Sequence, residues 1–157
     1  MSWSASVREC AAIFALRRRC RYSGVITSKS SLTREVFSAL KNRLNWFKQV
    51  KIKVGTEGQD DPRRLLALRR ALGRKMDVRI DANEAWSPDE VVERIGELEP
   101  FGITAVEQPV PHEQVACLRE VRRRVRTPIM LDESLCSRRD AERAVADETC
   151  EIGRAHV

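Results

Sequence analysis

The sequence predicts an α/β fold built on a parallel sheet, and three observations lead to this prediction. From residue 21 onward, short runs rich in β-branched residues alternate with longer amphipathic segments that carry helix-start signals. The runs begin at residues 22, 50, 78, 103 and 128, so they recur about every 25 to 28 residues. A period of this size is typical of a repeated strand–helix unit, which makes neighbouring strands parallel.

Five strands are predicted in order along the chain. Each is a short run enriched in Val, Ile or Leu, which suits a strand better than a helix at this length. The predicted strands cover residues 22–27, 50–54, 78–82, 103–107 and 128–132.

Helices are predicted between these strands. Residues 33–47 show the amphipathic pattern of a helix with one buried face. Three further helix starts are predicted from a capping residue and its partner: Asp61 as N-cap before Pro62, Ser87 with Glu90, and Ser137 with Asp140.

Length and composition exclude several classes of protein. The chain has 157 residues, of which 42% are hydrophobic and 33% charged, as in a globular protein of about one domain. No segment approaches the roughly 20 apolar residues of a membrane helix, so no membrane association is expected. The five cysteines are odd in number, scattered and without a C-x-x-C pair, which favours reduced thiols and a cytoplasmic location.

The net charge of +6 raises the question of a nucleic-acid partner. Two of the arginine-rich runs, 69–70 and 122–126, fall inside predicted amphipathic helices and are expected on their outer faces. No aromatic residues interleave with them to stack on bases, so no nucleic-acid partner is expected.

Acidic residues stand at the ends of three consecutive predicted strands. Asp81, Glu107 and Asp132 are separated by the strand–helix period itself, so they occupy equivalent places on neighbouring strands. A single acid of this kind is more commonly an exposed strand end or a helix cap. Three of them at one rim repel each other unless a cation is present, and oxygen ligands of this type suit Mg²⁺.

Two lysines lie two residues apart on the second predicted strand. Lys51 and Lys53 therefore share one face of the sheet. Crowded lysines near a bound cation have lowered pKa values, so one of them is a candidate base. Asn83 shares the face of Asp81 if that strand extends so far, and it could orient Asp81. Glu133 follows Asp132 directly, so the two side chains are expected to point in opposite directions, with Asp132 as the ligand.

Two architectures fit these observations, an open doubly wound sheet and part of a (β/α)₈ barrel. A barrel needs about 250 residues, more than this chain has. Neither G-x-G-x-x-G nor a P-loop follows any predicted strand, which argues against the nucleotide-binding versions of the open sheet.

Four motifs occur in an order and at a spacing that resemble the enolase superfamily. They are VKIKVG (50–55), DVRIDANEAW (77–86), ITAVEQPV (103–110) and PIMLDES (128–134). The chain is most similar to the muconate-lactonizing and mandelate racemase type, with its dipeptide epimerases and o-succinylbenzoate synthases. The resemblance implies a partial (β/α)₈ barrel containing about the first five strands, without the capping domain of the family.

The resemblance also implies roles for the residues already singled out. Lys53 would be the base that removes a proton α to a carboxylate, and Lys51 would tune it electrostatically. Asp81, Glu107 and Asp132 would hold Mg²⁺, with Asn83 and Glu133 behind them. The substrate would be a small-molecule carboxylate, and the parent enzyme a homo-oligomer.

The reaction implied for the parent is racemisation or epimerisation of dipeptides or amino-acid derivatives. Dehydration of the o-succinylbenzoate synthase type and muconate cycloisomerisation are alternatives. Two alternative hypotheses that do not involve catalysis are an inactive fragment and a basic nucleic-acid-binding module.

Three regions are expected along the chain. Residues 1–20 would be a helical remnant preceding the barrel, and residues 21–150 the partial barrel domain. Residues 151–157 (EIGRAHV) are similar to a translated sequencing adapter and are expected to be a non-native tail in place of a sixth strand. A second acid–base lysine would lie beyond this chain.

Overall fold

The computed structural model describes residues 22–28 and 31–153 of the chain. These residues contain six strands: β1 (Ser23–Ile26), β2 (Gln49–Lys53), β3 (Asp77–Asp81), β4 (Ala105–Glu107), β5 (Ile129–Leu131) and β6 (Ile152–Gly153). They also contain five α-helices: α1 (Leu32–Leu44), α2 (Asp61–Leu72), α3 (Val91–Leu98), α4 (Leu118–Arg124) and α5 (Arg138–Ala146). Short 3₁₀ segments, Glu99–Phe101 and His112–Cys117, follow α3 and precede α4. The expected helical remnant at 1–20 lies outside the described residues.

The strand order decides between the two architectures. Each strand pairs in parallel with the next one along the chain, so the order in the sheet is β1-β2-β3-β4-β5-β6. A doubly wound open sheet reverses its order at a switch point, whereas a barrel wall runs in sequence without reversal. The α/β class and the partial barrel are therefore confirmed.

A sixth strand was not expected, and in this respect the sequence prediction is wrong. Ile152 and Gly153 pair with β5, and the backbone N–H of Glu151 donates to the carbonyl oxygen of Ile129 at 3.0 Å. The Glu151 carboxylate in turn accepts the backbone N–H of Ile129 at 2.8 Å. The start of the 151–157 segment thus continues the sheet. These contacts do not test the origin of the segment, which stays a prediction.

The helix starts follow the predicted caps only in part. Ser137 is confirmed as the N-cap of α5, since its hydroxyl accepts the N–H of Asp140 at 3.2 Å. At α2 the cap is Asp60, whose carboxylate accepts the N–H of Arg63 at 2.9 Å, so the prediction of Asp61 is wrong by one residue. The Asp61 carboxylate is already engaged elsewhere, by the N–H of Gly55.

The third predicted helix start is also shifted. The Ser87 hydroxyl donates to the Glu90 carboxylate at 3.1 Å and caps no backbone N–H. Residues 88–90 form a turn, and α3 begins at Val91.

The hydrophobic core lies between the sheet and the helices. Ile52, Ile80 and Val106 are partners in neighbouring strands and are almost fully buried. They belong to one core cluster with buried residues of α2 and α3, among them Leu68 and Ile95. Because side chains alternate along a strand, the residues between them face the other side of the sheet. That other face carries the charged residues of β2, β3 and β4.

No helix within residues 22–28 and 31–153 is long and apolar enough to cross a membrane. Cys117 and Cys136 form no disulfide.

Candidate active site

Two buried carboxylates lie side by side where β3 and β4 end. Asp81 and Glu107 are the last residues of these strands and are direct partners in the ladder. Their exposed fractions are 1% and 2%. The prediction that strand ends bring these two acids together is confirmed.

Asp132 lies on the next strand, one residue beyond the end of β5. Glu107 is the ladder partner of Met130, so Asp132 stands two residues further along its strand than Glu107 does. Such a stagger between neighbouring strands is a property of barrel walls. Asp132 is also buried, with an exposed fraction of 7%.

Lys51 supplies the positive charge that two of these acids need. Its Nζ lies 2.8 Å from Asp81 Oδ2 and 3.2 Å from Glu107 Oε1. Buried carboxylates are costly unless they are paired and hydrogen-bonded, and this ammonium pairs with both. The side chain of Lys51 therefore extends from β2 and contacts both carboxylates.

The pKa of Lys51 is raised above its ordinary value. Desolvation by burial acts to lower this pKa, but the hydrogen bonds to Asp81 and Glu107 and the charges of both raise it by more. The lowered pKa expected for one lysine of this pair assumed a bound cation and stays a prediction; the carboxylates alone act on the pKa of Lys51 in the opposite direction.

Lys53 takes part in a second polar network at the same rim. Its Nζ donates to Asn83 Oδ1 at 2.6 Å, and Asn83 Nδ2 donates to Glu133 Oε1 at 2.9 Å. The backbone N–H of Asn83 donates to Asp81 Oδ1 at 3.1 Å. Asn83 thus connects the lysine, the buried aspartate and Glu133.

The route by which Asn83 and Glu133 reach this network differs from the prediction. Strand β3 ends at Asp81, and Asn83 sits in a turn with a φ of 44°. Glu133 lies in a turn after β5, where strand alternation no longer applies, so its carboxylate can reach Asn83. Because β5 ends at Leu131, strand alternation does not decide the directions of Asp132 and Glu133, and the choice of Asp132 as the ligand stays a prediction.

The sequence analysis did not identify Gln108, whose side chain forms hydrogen bonds that connect the end of β4 to the turn after β5. Its side chain is fully buried, and its Oε1 accepts the backbone N–H groups of Asp132 at 3.1 Å and of Ser134 at 3.2 Å. Its Nε2 donates to the Ser134 hydroxyl at 2.7 Å. The available signal was a polar residue directly after a buried strand, followed by Pro109.

The donor set is suited to Mg²⁺, although its side chains are not arranged as a ready cluster. Among residues 22–28 and 31–153, no group of three or more His, Cys, Asp or Glu side chains is placed to hold a metal ion. Asp81, Glu107 and Asp132 nevertheless offer buried carboxylate oxygens at the ends of three adjacent strands, and a cationic group already stands between two of them. Hard oxygen donors of this kind fit the chemistry of Mg²⁺.

Comparisons with known proteins agree with this geometry. Residues 33–157 match the family described as enolase C-terminal domain-like. A D-Ala-D/L-Ala epimerase of Cytophaga hutchinsonii is 37% identical over 113 residues, covering 72% of this chain and 31% of the relative. An o-succinylbenzoate synthase of Thermobifida fusca is 42% identical over 105 residues, covering 65% of this chain and 32% of the relative.

A solved structure shares the fold. The dipeptide epimerase from Cytophaga hutchinsonii, complexed with Mg and the dipeptide D-Ala-L-Val, aligns with a TM-score of 0.80 at 30% identity. The alignment covers 90% of this chain and 39% of that structure. The chain spans about a third of the length of the curated relatives described above. From the matched residues, the sequential parallel sheet and the polar rim together, the chain belongs to the enolase C-terminal domain-like family.

Proposed function

We propose that this chain is the part of a barrel enzyme that carries the base and the metal ligands for removing a proton α to a carboxylate. The observation that supports this most is the placement of Lys51, Asp81 and Glu107 at one buried rim, with Lys53 beside them. Burying two carboxylates and a lysine costs free energy, so stability alone does not account for this cluster, and a functional role is the better explanation.

In this proposal each side chain has a separate task. Lys53, in its neutral form, accepts the α-proton at Nζ, and Asn83 holds that nitrogen in place. Asp81, Glu107 and Asp132 would hold Mg²⁺, which would supply the positive charge that stabilises the negative charge developing on the substrate carboxylate. Lys51 keeps the charge of Asp81 and Glu107 balanced.

Epimerisation of a dipeptide or amino-acid derivative is the reaction we favour. The relatives with this activity and the dipeptide complex of the similar structure support it. Inversion needs a proton delivered to the face opposite the base, whereas Lys51 and Lys53 share one face of β2. We therefore propose that the second acid–base group comes from a part of the complete protein outside the described residues.

Dehydration of the o-succinylbenzoate synthase type is the second candidate. The relative with that activity is 42% identical to this chain. An elimination removes a proton from one face only, so it does not require a second base. Product analysis separates the two reactions, because epimerisation conserves mass and dehydration loses water.

The test is exchange of the α-proton with solvent deuterium. The complete protein is offered a panel of L,L-dipeptides in D₂O with Mg²⁺, and deuterium incorporation is followed by NMR and mass spectrometry. Lys53→Ala should abolish exchange at the face that Lys53 addresses, while Lys75→Ala, an exposed lysine before β3, should leave it unchanged. Exchange from both faces in folded Lys53→Ala protein would exclude Lys53 as the base.

The 157-residue chain alone is expected to show no turnover. Among the described residues, β1 and β6 are edge strands with one partner each, so the inner face of the sheet is open to water. A fixed cation and a lysine are effective only in a preorganised, water-excluded site. Turnover by the purified chain that disappears in Lys53→Ala would contradict this expectation.

A further inference from the structure

A buried arginine on α2 contacts the end of β2 from the helix side of the sheet. Arg64 Nη1 and Nη2 each lie 3.3 Å from the carbonyl oxygen of Lys53. The same guanidinium donates to Glu35 Oε2 on α1, through Nε at 3.2 Å and Nη2 at 3.0 Å. It also donates to the Asp61 carboxylate. One buried cation therefore joins two helices to the residue that carries the candidate base.

Stability alone does not explain why this group is charged. The exposed fractions of Arg64 and Glu35 are 7% and 2%. A buried ion pair is commonly no more stabilising than a well-packed apolar pair of the same volume. Leu65 and Leu68 on the same helix show that apolar side chains pack well here. What an apolar residue cannot do is donate hydrogen bonds to the Lys53 carbonyl.

The residues after Lys53 are held from two further sides. The backbone N–H of Gly55 donates to Asp61 Oδ2 at 2.7 Å. Gly55 has a φ of 78°, and a Cβ at this position would lie 2.5 Å from Ala85 Cβ and 3.2 Å from Trp86 Nε1. The backbone that follows β2 is thus confined between α2 and the turn after β3.

We propose that Arg64, supported by Glu35 and Asp61, is a positioning residue for Lys53. By holding the Lys53 carbonyl, the guanidinium fixes the backbone from which Nζ reaches Asn83. This inference rests on the proposed function of Lys53 as the base. A displacement of the base by about 1 Å can lower a rate by roughly 100-fold, so loss of the contact should reduce kcat far more than it changes KM.

The informative variant removes both charges together. Glu35→Leu/Arg64→Met removes the fully buried pair between α1 and α2. The Asp61 carboxylate keeps the N–H of Gly55 and its place in the first turn of α2, where a negative charge is stabilised, so the protein should stay folded while the contact to Lys53 is lost. Arg70→Met, an exposed arginine on the same helix, is the matched control. Kinetics are measured on the complete protein with the L,L-dipeptides of the exchange assay, and Mg²⁺ affinity by calorimetry.

We expect the double variant to lower kcat by about 10- to 100-fold, with KM within about threefold and Mg²⁺ affinity within about twofold of the control. Arg64→Lys, which keeps a donor and a positive charge, should recover part of the loss. A purely structural role for Arg64 would leave kcat of the folded double variant at the level of the control, and that result overturns the inference.

Two controls keep the outcomes separate. If Lys53→Ala retains exchange, the proposed function fails, and this is seen without any Arg64 variant. If Lys53→Ala abolishes exchange and the double variant matches Arg70→Met, only the positioning role fails. Should the double variant not fold, Glu35→Gln/Arg64→Met is measured in its place, with the same expected loss of kcat and the same overturning result.

Discussion

Replacing Lys51 with methionine removes the ammonium group shared by two buried acids. Asp81 and Glu107, with exposed fractions of 1% and 2%, then lose the cation at 2.8 and 3.2 Å. Breaking a fully buried pair by removing one partner costs about 3–5 kcal/mol. The Lys51 side chain is 17% exposed, so water moderates the loss, and we expect Lys51→Met to lower the free energy of unfolding by about 3 kcal/mol at neutral pH.

The matched control is Lys53→Met, on the same strand and the same face. Within residues 22–28 and 31–153, the one hydrogen bond of Lys53 Nζ goes to a neutral amide oxygen, that of Asn83, in an exposed position. Its loss leaves no buried charge, so the cost should stay below about 1 kcal/mol. Urea unfolding of the 157-residue chain followed by circular dichroism measures both variants.

Mg²⁺ provides a second arm of this experiment. If the acids bind the ion, then Mg²⁺ at about 100 times its dissociation constant adds about 2.7 kcal/mol to the stability of the folded state. Lys51→Met should therefore recover most of its loss in Mg²⁺. Equal costs for Lys51→Met and Lys53→Met would exclude Lys51 as the stabilising cation of the two acids, and no recovery in Mg²⁺ would exclude Mg²⁺ binding by them.

The contribution of Lys51 to the free energy of unfolding should decrease at high pH. The pKa of Lys51 is higher in the folded chain than its ordinary value of 10.5. Its contribution is therefore fully present below about pH 10.5 and is lost as the pH rises through the higher folded pKa. Wild-type protein should lose this part of its stability in alkali, and Lys51→Met should not.

Two further predictions concern groups outside the rim. The pKa of Glu99 is lowered, because the hydrogen bonds that its carboxylate accepts from residues 126–127 outweigh desolvation, which acts to raise it. The stabilisation by the Glu99 carboxylate is present above about pH 4.5 and is lost as the pH falls through the lower folded pKa. In urea unfolding at a series of acidic pH values, Glu99→Gln should therefore make the free energy of unfolding fall less steeply with decreasing pH. The same steepness as in the wild type would contradict this. The pKa of His112 is raised chiefly by its hydrogen bond with Glu84, so Glu84→Gln should lower the His112 midpoint in an NMR titration, and an unmoved midpoint would exclude that bond as the cause.

The strand–helix period was sufficient to predict the sheet and most of its polar rim. Asp81 and Glu107 end consecutive strands, and a parallel ladder in register necessarily places such residues side by side. The spacing of the strands did not determine their order in the sheet, because a period of 25 to 28 residues fits both a barrel and a doubly wound sheet. The resemblance of the four motifs to the enolase superfamily favoured the barrel, and the three-dimensional pairing of the strands confirms it.

The contacts that sequence could not predict are those made by side chains from distant segments. Asp61 resembles a helix cap, but Gly55 and Arg64 engage its carboxylate, and Asp60 caps the helix instead. Lys51 resembles a member of a crowded lysine pair, yet its ammonium reaches across to two carboxylates on other strands. The local sequence pattern predicts neither the contacts of Asp61 nor those of Lys51, because both depend on groups that the fold brings together from distant segments.

We propose that Asp81, Glu107 and Asp132 form one metal site, and Mg²⁺ binding to the purified 157-residue chain decides whether they do. Isothermal titration should show one Mg²⁺ per chain, with affinity lowered at least tenfold by each of Asp81→Asn, Glu107→Gln and Asp132→Asn. Asp89→Asn, an exposed acid in the turn before α3, should bind as the wild type does. Binding that survives all three substitutions, or a wild-type chain that binds no Mg²⁺ while folded, would contradict the proposed metal site.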